Sequence, residues 1–280
     1  MATRTITLGD TTVSRIGLGT NRLTLTSANV SFVVEAVTAG LAHVDTAHLY
    51  TSGESERTIG TAIHLPLDRV VVATKGGYRA GEGRADVLRA QIDESLRRLG
   101  TDVIDLYYLH RVHPDTPLEE SLTVIAEARE AGKIRHAGIS EVSIEQIEQA
   151  RSIVPIAAVQ NRYNLGDRGH DDVVDHCTAE GIVFVPYYPL QGAEGPAVEE
   201  AAQRHGVTES QIALAWLLHR SPMMLPIPGT LSAAHLAENL AALEIELGEH
   251  ELEVIEGSRP GSGGLPRSSI GDSSAEPVDR

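Results

Sequence analysis

Eight apolar, β-branched runs of strand length alternate along this chain with stretches of helical period, and no other feature narrows the fold as much. The runs span residues 16–20, 43–47, 70–75, 104–110, 134–140, 157–161, 182–187 and 223–228. Helix-period stretches fall between them at 31–39, 54–63, 86–99, 118–131, 144–152, 171–180 and 210–219, where apolar residues return every third or fourth position. Gly40, Gly100, Gly132 and Gly181 stand at helix stops, because glycine takes up the left-handed conformation that ends a helix. A doubly wound sheet normally needs fewer strands and a glycine-rich first turn. The alternation therefore predicts an α/β fold of the (β/α)8 TIM-barrel kind. Segments 4–8 and 11–15 alternate around Gly9-Asp10 and predict an N-terminal β-hairpin that plugs the bottom of the barrel. Residues 1–256 read as the barrel, and 257–280, rich in Gly, Ser and Pro, as a flexible tail without a core of its own.

The formal charge of -16 argues against nucleic acid and acidic membrane surfaces as partners. The start of the chain has no apolar signal region, and no later run is apolar enough to cross a membrane, so a cytoplasmic location is expected. Cys177 stands alone, which precludes a disulfide within the chain and a thiolate metal site. Gly17-Leu18-Gly19 lacks the third glycine of a dinucleotide fingerprint and reads as a tight barrel turn.

A parallel barrel builds its site at the C-terminal ends of its strands, and those positions are polar here. The second strand carries Asp45 with Tyr50 just beyond; the third ends in Lys75, the fourth in His110, the fifth in Ser140, the sixth in Gln160-Asn161, the seventh in Tyr187-Tyr188. Tyr50, Tyr78, Tyr163, Tyr187 and Tyr188 all fall at or after strand ends, as a stacking surface for a flat ligand or as rim packing. A free phenol titrates near about 10 and needs tuning to move a proton at neutral pH. A lysine ammonium close by favours its ionisation, and an aspartate keeps that lysine charged and placed. Tyr50 is thus the candidate general acid, with Lys75 and Asp45 behind it, and His110 a neutral donor that orients a carbonyl oxygen. What such a site lacks is a source of hydride.

The stretch His43-Val44-Asp45-Thr46-Ala47-His48-Leu49-Tyr50, then Lys75, then Leu109-His110, resembles the aldo-keto reductases. The likeness continues through Gly132-Lys133-Ile134-Arg135, Gly138-Ile139-Ser140, Val159-Gln160-Asn161, Pro186-Tyr187-Tyr188-Pro189-Leu190 and Ile227-Pro228-Gly229-Thr230, and covers residues 3–256. It implies a barrel that binds NADP(H) without a Rossmann fold, with Asp45, Tyr50, Lys75 and His110 as the catalytic tetrad. It also implies Ser140 and Gln160 on the nicotinamide carboxamide, Tyr187 stacked on the ring, and Thr20 and Asp45 beside it. Leu190 would cover the pyrophosphate, and Ile227, Gly229, Thr230, His235, Glu238 and Asn239 would line the adenosine pocket. Glu141 stands where many members have Asn, and Gly229 and His235 where many have Lys and Arg. The last two remove cations from the 2′-phosphate site, so NADPH is the expected cofactor with NADH as the alternative.

The expected substrate is a small carbonyl compound, an aldehyde before a ketone. Segments 186–190 and 215–222 are similar to bacterial pyridoxal reductases of the family, which makes pyridoxal the first substrate to consider. His48, Tyr78, His113, Tyr163 and the 192–196 segment are expected to border the pocket. Two rival readings remain: a non-catalytic nucleotide-binding regulatory barrel, and a metal-dependent barrel hydrolase using His110, His113 and Asp45 or Asp115. The second calls for further inward ligands where Lys, Ser and Tyr stand, so no metal is expected.

Overall fold

The computed structural model describes residues 3–64 and 70–257, so the segment read as a tail lies, beyond Gly257, outside the described residues. Seven parallel strands pair in chain order: β3 (Leu18–Gly19), β4 (His43–Asp45), β5 (Val71–Gly76), β6 (Ile104–Leu109), β7 (Ile134–Ser140), β8 (Ile156–Gln160) and β9 (Val183–Phe184). The eighth apolar run closes the circle between β9 and β3. Phe184 N–H donates to Met223 O (2.8 Å) and Leu225 N–H to Phe184 O (2.9 Å), while Gly17 and Gly19 donate to Pro226 O (3.0 Å) and Pro228 O (3.2 Å). Pro226 and Pro228 have no N–H to return, so this run forms bridges and no continuous ladder.

The hairpin β1 (Thr5–Leu8) and β2 (Thr11–Ser14) precedes the barrel. Its Ile6, Leu8 and Val13 pack with Val71, Ala73, Leu106, Ala158, Val183 and Leu225, the apolar filling of the lumen. This hairpin is the expected plug. Its turn lies against the His136 ring, and His136 Nε2 is 3.0 Å from Asp10 Oδ1. Arg15, buried just after the hairpin, donates to the carbonyls of Leu218, Ser221, Met224 and Thr3. It closes the C-terminal end of a helix with a cation, where the helix dipole favours one.

Helices α1 (Ser27–Thr38), α2 (Glu54–Ile63), α3 (Ala85–Leu99), α4 (Leu118–Glu130), α5 (Ile144–Arg151), α6 (Asp171–Glu180), α7 (Pro196–His205), α8 (Glu209–Arg220), α9 (Ala233–Ala241) and α10 (Glu249–Gly257) accompany the strands. Their apolar faces form a second core with the outward side chains of the strands, among them Val44, Val72, Tyr107, Leu109, Ile139 and Val159. Helix α1 begins four residues before the position expected, because the Thr26 side chain accepts from Asn29 N–H and caps it there. The pattern did not announce α7, α9 and α10. Helices α9 and α10 each bury only two residues, Leu236 with Asn239 and Leu252 with Ile255, too few for an apolar period. Leu18-Gly19 is strand and no turn: a Cβ on Gly19 would stand 2.7 Å from Ile227 O, so glycine there serves the close approach that seals the barrel. Among the described residues no helix is long and apolar enough to cross a membrane.

Candidate active site

At the C-terminal end of the lumen, β4 and β5 put Asp45 beside Lys75, and both side chains are sealed from solvent. Lys75 Nζ donates to Asp45 Oδ1 and to Thr46 O (2.8 Å), and Gln160 Nε2 donates to Asp45 Oδ2 (2.9 Å). Burial pulls the Lys75 ammonium below its ordinary pKa, and Asp45 opposes that pull. The ammonium lies 5.2 Å from the centre of the Tyr50 ring and 5.7 Å from that of Tyr108. Tyr50 and His110 meet edge to face with ring centres 6.0 Å apart. The structure therefore brings Asp45, Tyr50, Lys75 and His110 together at one place, from β4, the turn after it, β5 and the end of β6.

Tyr50 opens a short 3-10 turn, Tyr50–Gly53, in which Thr51, Ser52 and Gly53 have φ of 46°, 55° and 85°. Such left-handed backbone at two side-chain-bearing residues persists only where the surroundings over-determine it. Arg98 of α3 does so from outside the barrel. Its Nη1 donates to His48 O (2.8 Å) and to the buried Glu56 (3.1 Å), and its guanidinium lies where a Cβ on Gly53 would stand. Thr51 Oγ1 donates to Leu23 O (2.8 Å), and the Ser55 hydroxyl lies within 2.8 Å of those of Thr20 and Thr46. These contacts set the height at which the Tyr50 phenol enters the mouth.

His110 is buried, and its Nδ1 has no hydrogen-bond partner in the described residues. Burial, then the charges of Lys75 and Arg111, hold its pKa well below the ordinary value, so it is neutral at physiological pH. The Tyr78 ring lies 4.8 Å from the His110 ring. His113 Nε2 reaches Tyr78 O at 2.7 Å and braces that loop. Among the described residues no three His, Cys, Asp or Glu side chains gather as a metal site would need.

The remaining expected residues separate into groups. Ser140 and Gln160 stand opposite each other in register on β7 and β8, both buried, and Tyr187 follows β9. Thr20 donates its hydroxyl to Asp45 O (2.8 Å) and so serves the wall of the barrel. The Gly19–Gly229 bridge brings the first strand against the 227–230 segment; Ile227 and Thr230 are buried there, and Thr230 Oγ1 accepts from Ser232 N–H (3.0 Å). Asn239 is buried on α9, while His235 and Glu238 are exposed on it and Gly229 is exposed before it. Leu190 packs against the outer core. Arg22 Nη2 lies 3.5 Å from Gly229 O, a cation beside the 227–230 segment.

Two expectations need correction. Tyr163 does not border the tetrad: it is buried in the outer core, stacked on Trp216 at 5.8 Å, with its hydroxyl on Asp171 (2.6 Å), because its apolar ring finds the helix layer and its oxygen an anion. His48 turns its Nδ1 to Arg98 (3.3 Å) under the Tyr50 turn, away from the tetrad. Glu141, with φ of 57°, takes the Arg162 N–H on its carboxylate (2.7 Å) and also presses on the half-buried Tyr187, whose pKa burial and this anion raise. Sequence reasoning missed Arg111, which follows His110 directly: its Nη1 donates to His110 O (2.8 Å) and Ser140 Oγ (3.2 Å). Its position one residue past a strand-end histidine was the available signal.

Comparison with known proteins gives a consistent picture. The model of the aldo/keto reductase family matches residues 15–195 and 193–259. Pyridoxine 4-dehydrogenase of Escherichia coli (strain K12) is 36% identical over 282 residues, covering 92% of this chain and 99% of that protein. An aldo/keto reductase from Klebsiella pneumoniae, solved with NADP and acetate, superposes with a TM-score of 0.84 at 29% identity, over 94% of this chain and 98% of that one. An aldo-keto reductase from the same organism, solved with NADPH, gives a TM-score of 0.84 at 30% identity, over 96% and 100%.

Proposed function

The chain belongs to the aldo/keto reductase family, and on that premise we propose that it is an NADP(H)-dependent oxidoreductase that reduces an aldehyde to its alcohol. The observation that carries the reading is the sealed Lys75–Asp45 pair, with the Lys75 ammonium 5.2 Å from the Tyr50 ring at the polar end of the barrel. A hydroxyl, a primary amide and an aromatic face from Ser140, Gln160 and Tyr187 form a donor set that suits an aromatic ring bearing a carboxamide. The path from there past the Gly19–Gly229 bridge to Asn239 is where this reading lays the remainder of the dinucleotide. NADPH bound along it supplies the hydride.

Tyr50 gives its phenolic proton to the substrate oxygen as that oxygen gains negative charge. Lys75, held by Asp45 and Thr46 O, puts a positive charge behind the phenol and stabilises the phenolate that remains. His110 is neutral, and with no acceptor at Nδ1 its proton belongs on Nε2, from which it donates to the same oxygen and orients the carbonyl. Gln160 holds the second oxygen of Asp45 and so keeps the pair in place.

Pyridoxal is the first substrate of this reading, supported by the 36% identity to the E. coli pyridoxine 4-dehydrogenase. The test is steady-state reduction of pyridoxal, benzaldehyde and butanal with NADPH and with NADH. The reading expects turnover of an aldehyde with preference for NADPH. Nucleotide binding with no turnover of any carbonyl would move the chain to the regulatory barrels, and turnover of the simple aldehydes without pyridoxal would remove pyridoxal alone.

A further inference from the structure

Arg111 is a cation that the proposed hydride and proton transfers do not use. Its guanidinium carbon lies 5.4 Å from the centre of the Tyr78 ring and 5.7 Å from that of the Tyr187 ring. One nitrogen, Nη1, bonds to His110 O and Ser140 Oγ; Nη2 and Nε make no hydrogen bond to the described residues. No carboxylate among the described residues pairs with it, and it is only part-buried, so those donors are open to a ligand. Lys75 is neutralised by Asp45, and the Glu141 carboxylate is held by the Arg162 N–H. Arg111 is thus a positive charge with no ion-pair partner among the described residues, at the mouth of a protein whose formal charge is -16. A planar fork of free N–H donors between two aromatic faces matches a carboxylate or a phosphate oxygen pair, which a guanidinium binds through parallel hydrogen bonds.

We propose that Arg111 forms a substrate-anion subsite beside His110, so that the preferred carbonyl substrates carry a carboxylate or phosphate group. The proposal rests on the reductase reading above and names its substrate class. An anion held there sits next to the residue that orients the carbonyl, and so fixes which end of the substrate faces Tyr50. Without it, approach of an anionic aldehyde to this acidic protein is unfavourable.

The experiment compares kcat/KM for 4-carboxybenzaldehyde with that for its methyl ester, and for pyridoxal 5′-phosphate with that for pyridoxal, in the native enzyme and in Arg111→Met. A charge-assisted hydrogen bond of ordinary strength gives about a tenfold or greater preference for the anionic member of a pair. That preference is expected in KM and falls to about one in Arg111→Met, with partial return in Arg111→Lys. Which pair shows it distinguishes carboxylate from phosphate. Equal kcat/KM within both pairs, or a preference that survives Arg111→Met, overturns the proposal while the reductase reading stands. A larger loss in NADPH affinity than in the substrate ratio, measured by quenching of protein fluorescence, also overturns it and assigns Arg111 to the cofactor. If no aldehyde turns over, the reductase reading has failed, and calorimetric titration with benzoate decides the subsite on its own: binding lost in Arg111→Met supports it, and binding absent or indifferent to the variant overturns it.

Discussion

Asp45→Asn isolates what the sealed ion pair at the base of the site does. Lys75 is completely buried, and burial already draws its ammonium below the ordinary pKa against the pull of Asp45. With that pull removed, the folded protein holds Lys75 neutral at neutral pH, while the unfolded chain keeps it charged. The sign follows from proton binding: the unfolded state then binds one proton more than the folded state, so the folded variant gains stability as pH rises. At about pH 7 the penalty is up to about 4.6 kcal/mol, the cost of deprotonating a lysine with a free pKa of about 10.4. Between about pH 7 and 9 it shrinks by about 2.7 kcal/mol. Lys75→Met, which strands the buried carboxylate, costs about 3–5 kcal/mol at neutral pH. Because the two residues contact one another, the double variant loses less than the two single variants together. Urea unfolding of the four proteins across this pH range reads these quantities directly. A penalty for Asp45→Asn under about 1 kcal/mol, or one that does not shrink with rising pH, refutes the argument that the pair is desolvated.

Three further outcomes follow from the same physics. Gly53→Ala forces a Cβ to within 2.4 Å of the Arg98 guanidinium at a residue with φ of 85°; it is expected to cost about 1–3 kcal/mol in urea unfolding and to lower kcat, because the Tyr50 turn shifts. His43 and His110 are fully buried with pKa values held down chiefly by burial, so the unfolded chain takes up protons at both below about pH 6.5 when the folded protein does not; stability then falls by up to about 1.4 kcal/mol per pH unit for each, and a flat unfolding free energy from about pH 6.5 to 5.5 contradicts this. The buried Cys177 thiol is pushed up to about 12, so iodoacetamide labels it only after unfolding; rapid labelling of the native protein would show that α6 leaves it exposed.

The sequence made the barrel legible because parallel strands buried on both faces read as continuous apolar runs. Seven of the eight appear as strands, and the eighth fails as a ladder for a reason also written in the sequence, Pro226 and Pro228. Strand-end positions of Asp45, Lys75 and His110 were legible too, since strand direction and alternation fix which end and which face each occupies. Loop side chains were not. His48 sits between Asp45 and Tyr50 in the chain yet answers to Arg98, 50 residues further on. Tyr163 follows a strand end as Tyr187 does, but one ring finds Trp216 and the other stays at the mouth. Such choices depend on long-range partners that local pattern does not contain. Arg111 escaped because an arginine after a strand reads as a rim residue until no carboxylate among the described residues is found to pair with it.

The central claim is that Tyr50 delivers the proton that completes hydride transfer. Its most direct test mixes the preformed NADPH complex with excess aldehyde and follows a single turnover of reduced nicotinamide, in the native enzyme and in Tyr50→Phe. The account predicts a rapid phase in the native enzyme that slows by about 10²–10⁴-fold in Tyr50→Phe, while NADPH affinity stays within about twofold. A Tyr50→Phe variant that oxidises bound NADPH at the native rate would contradict it.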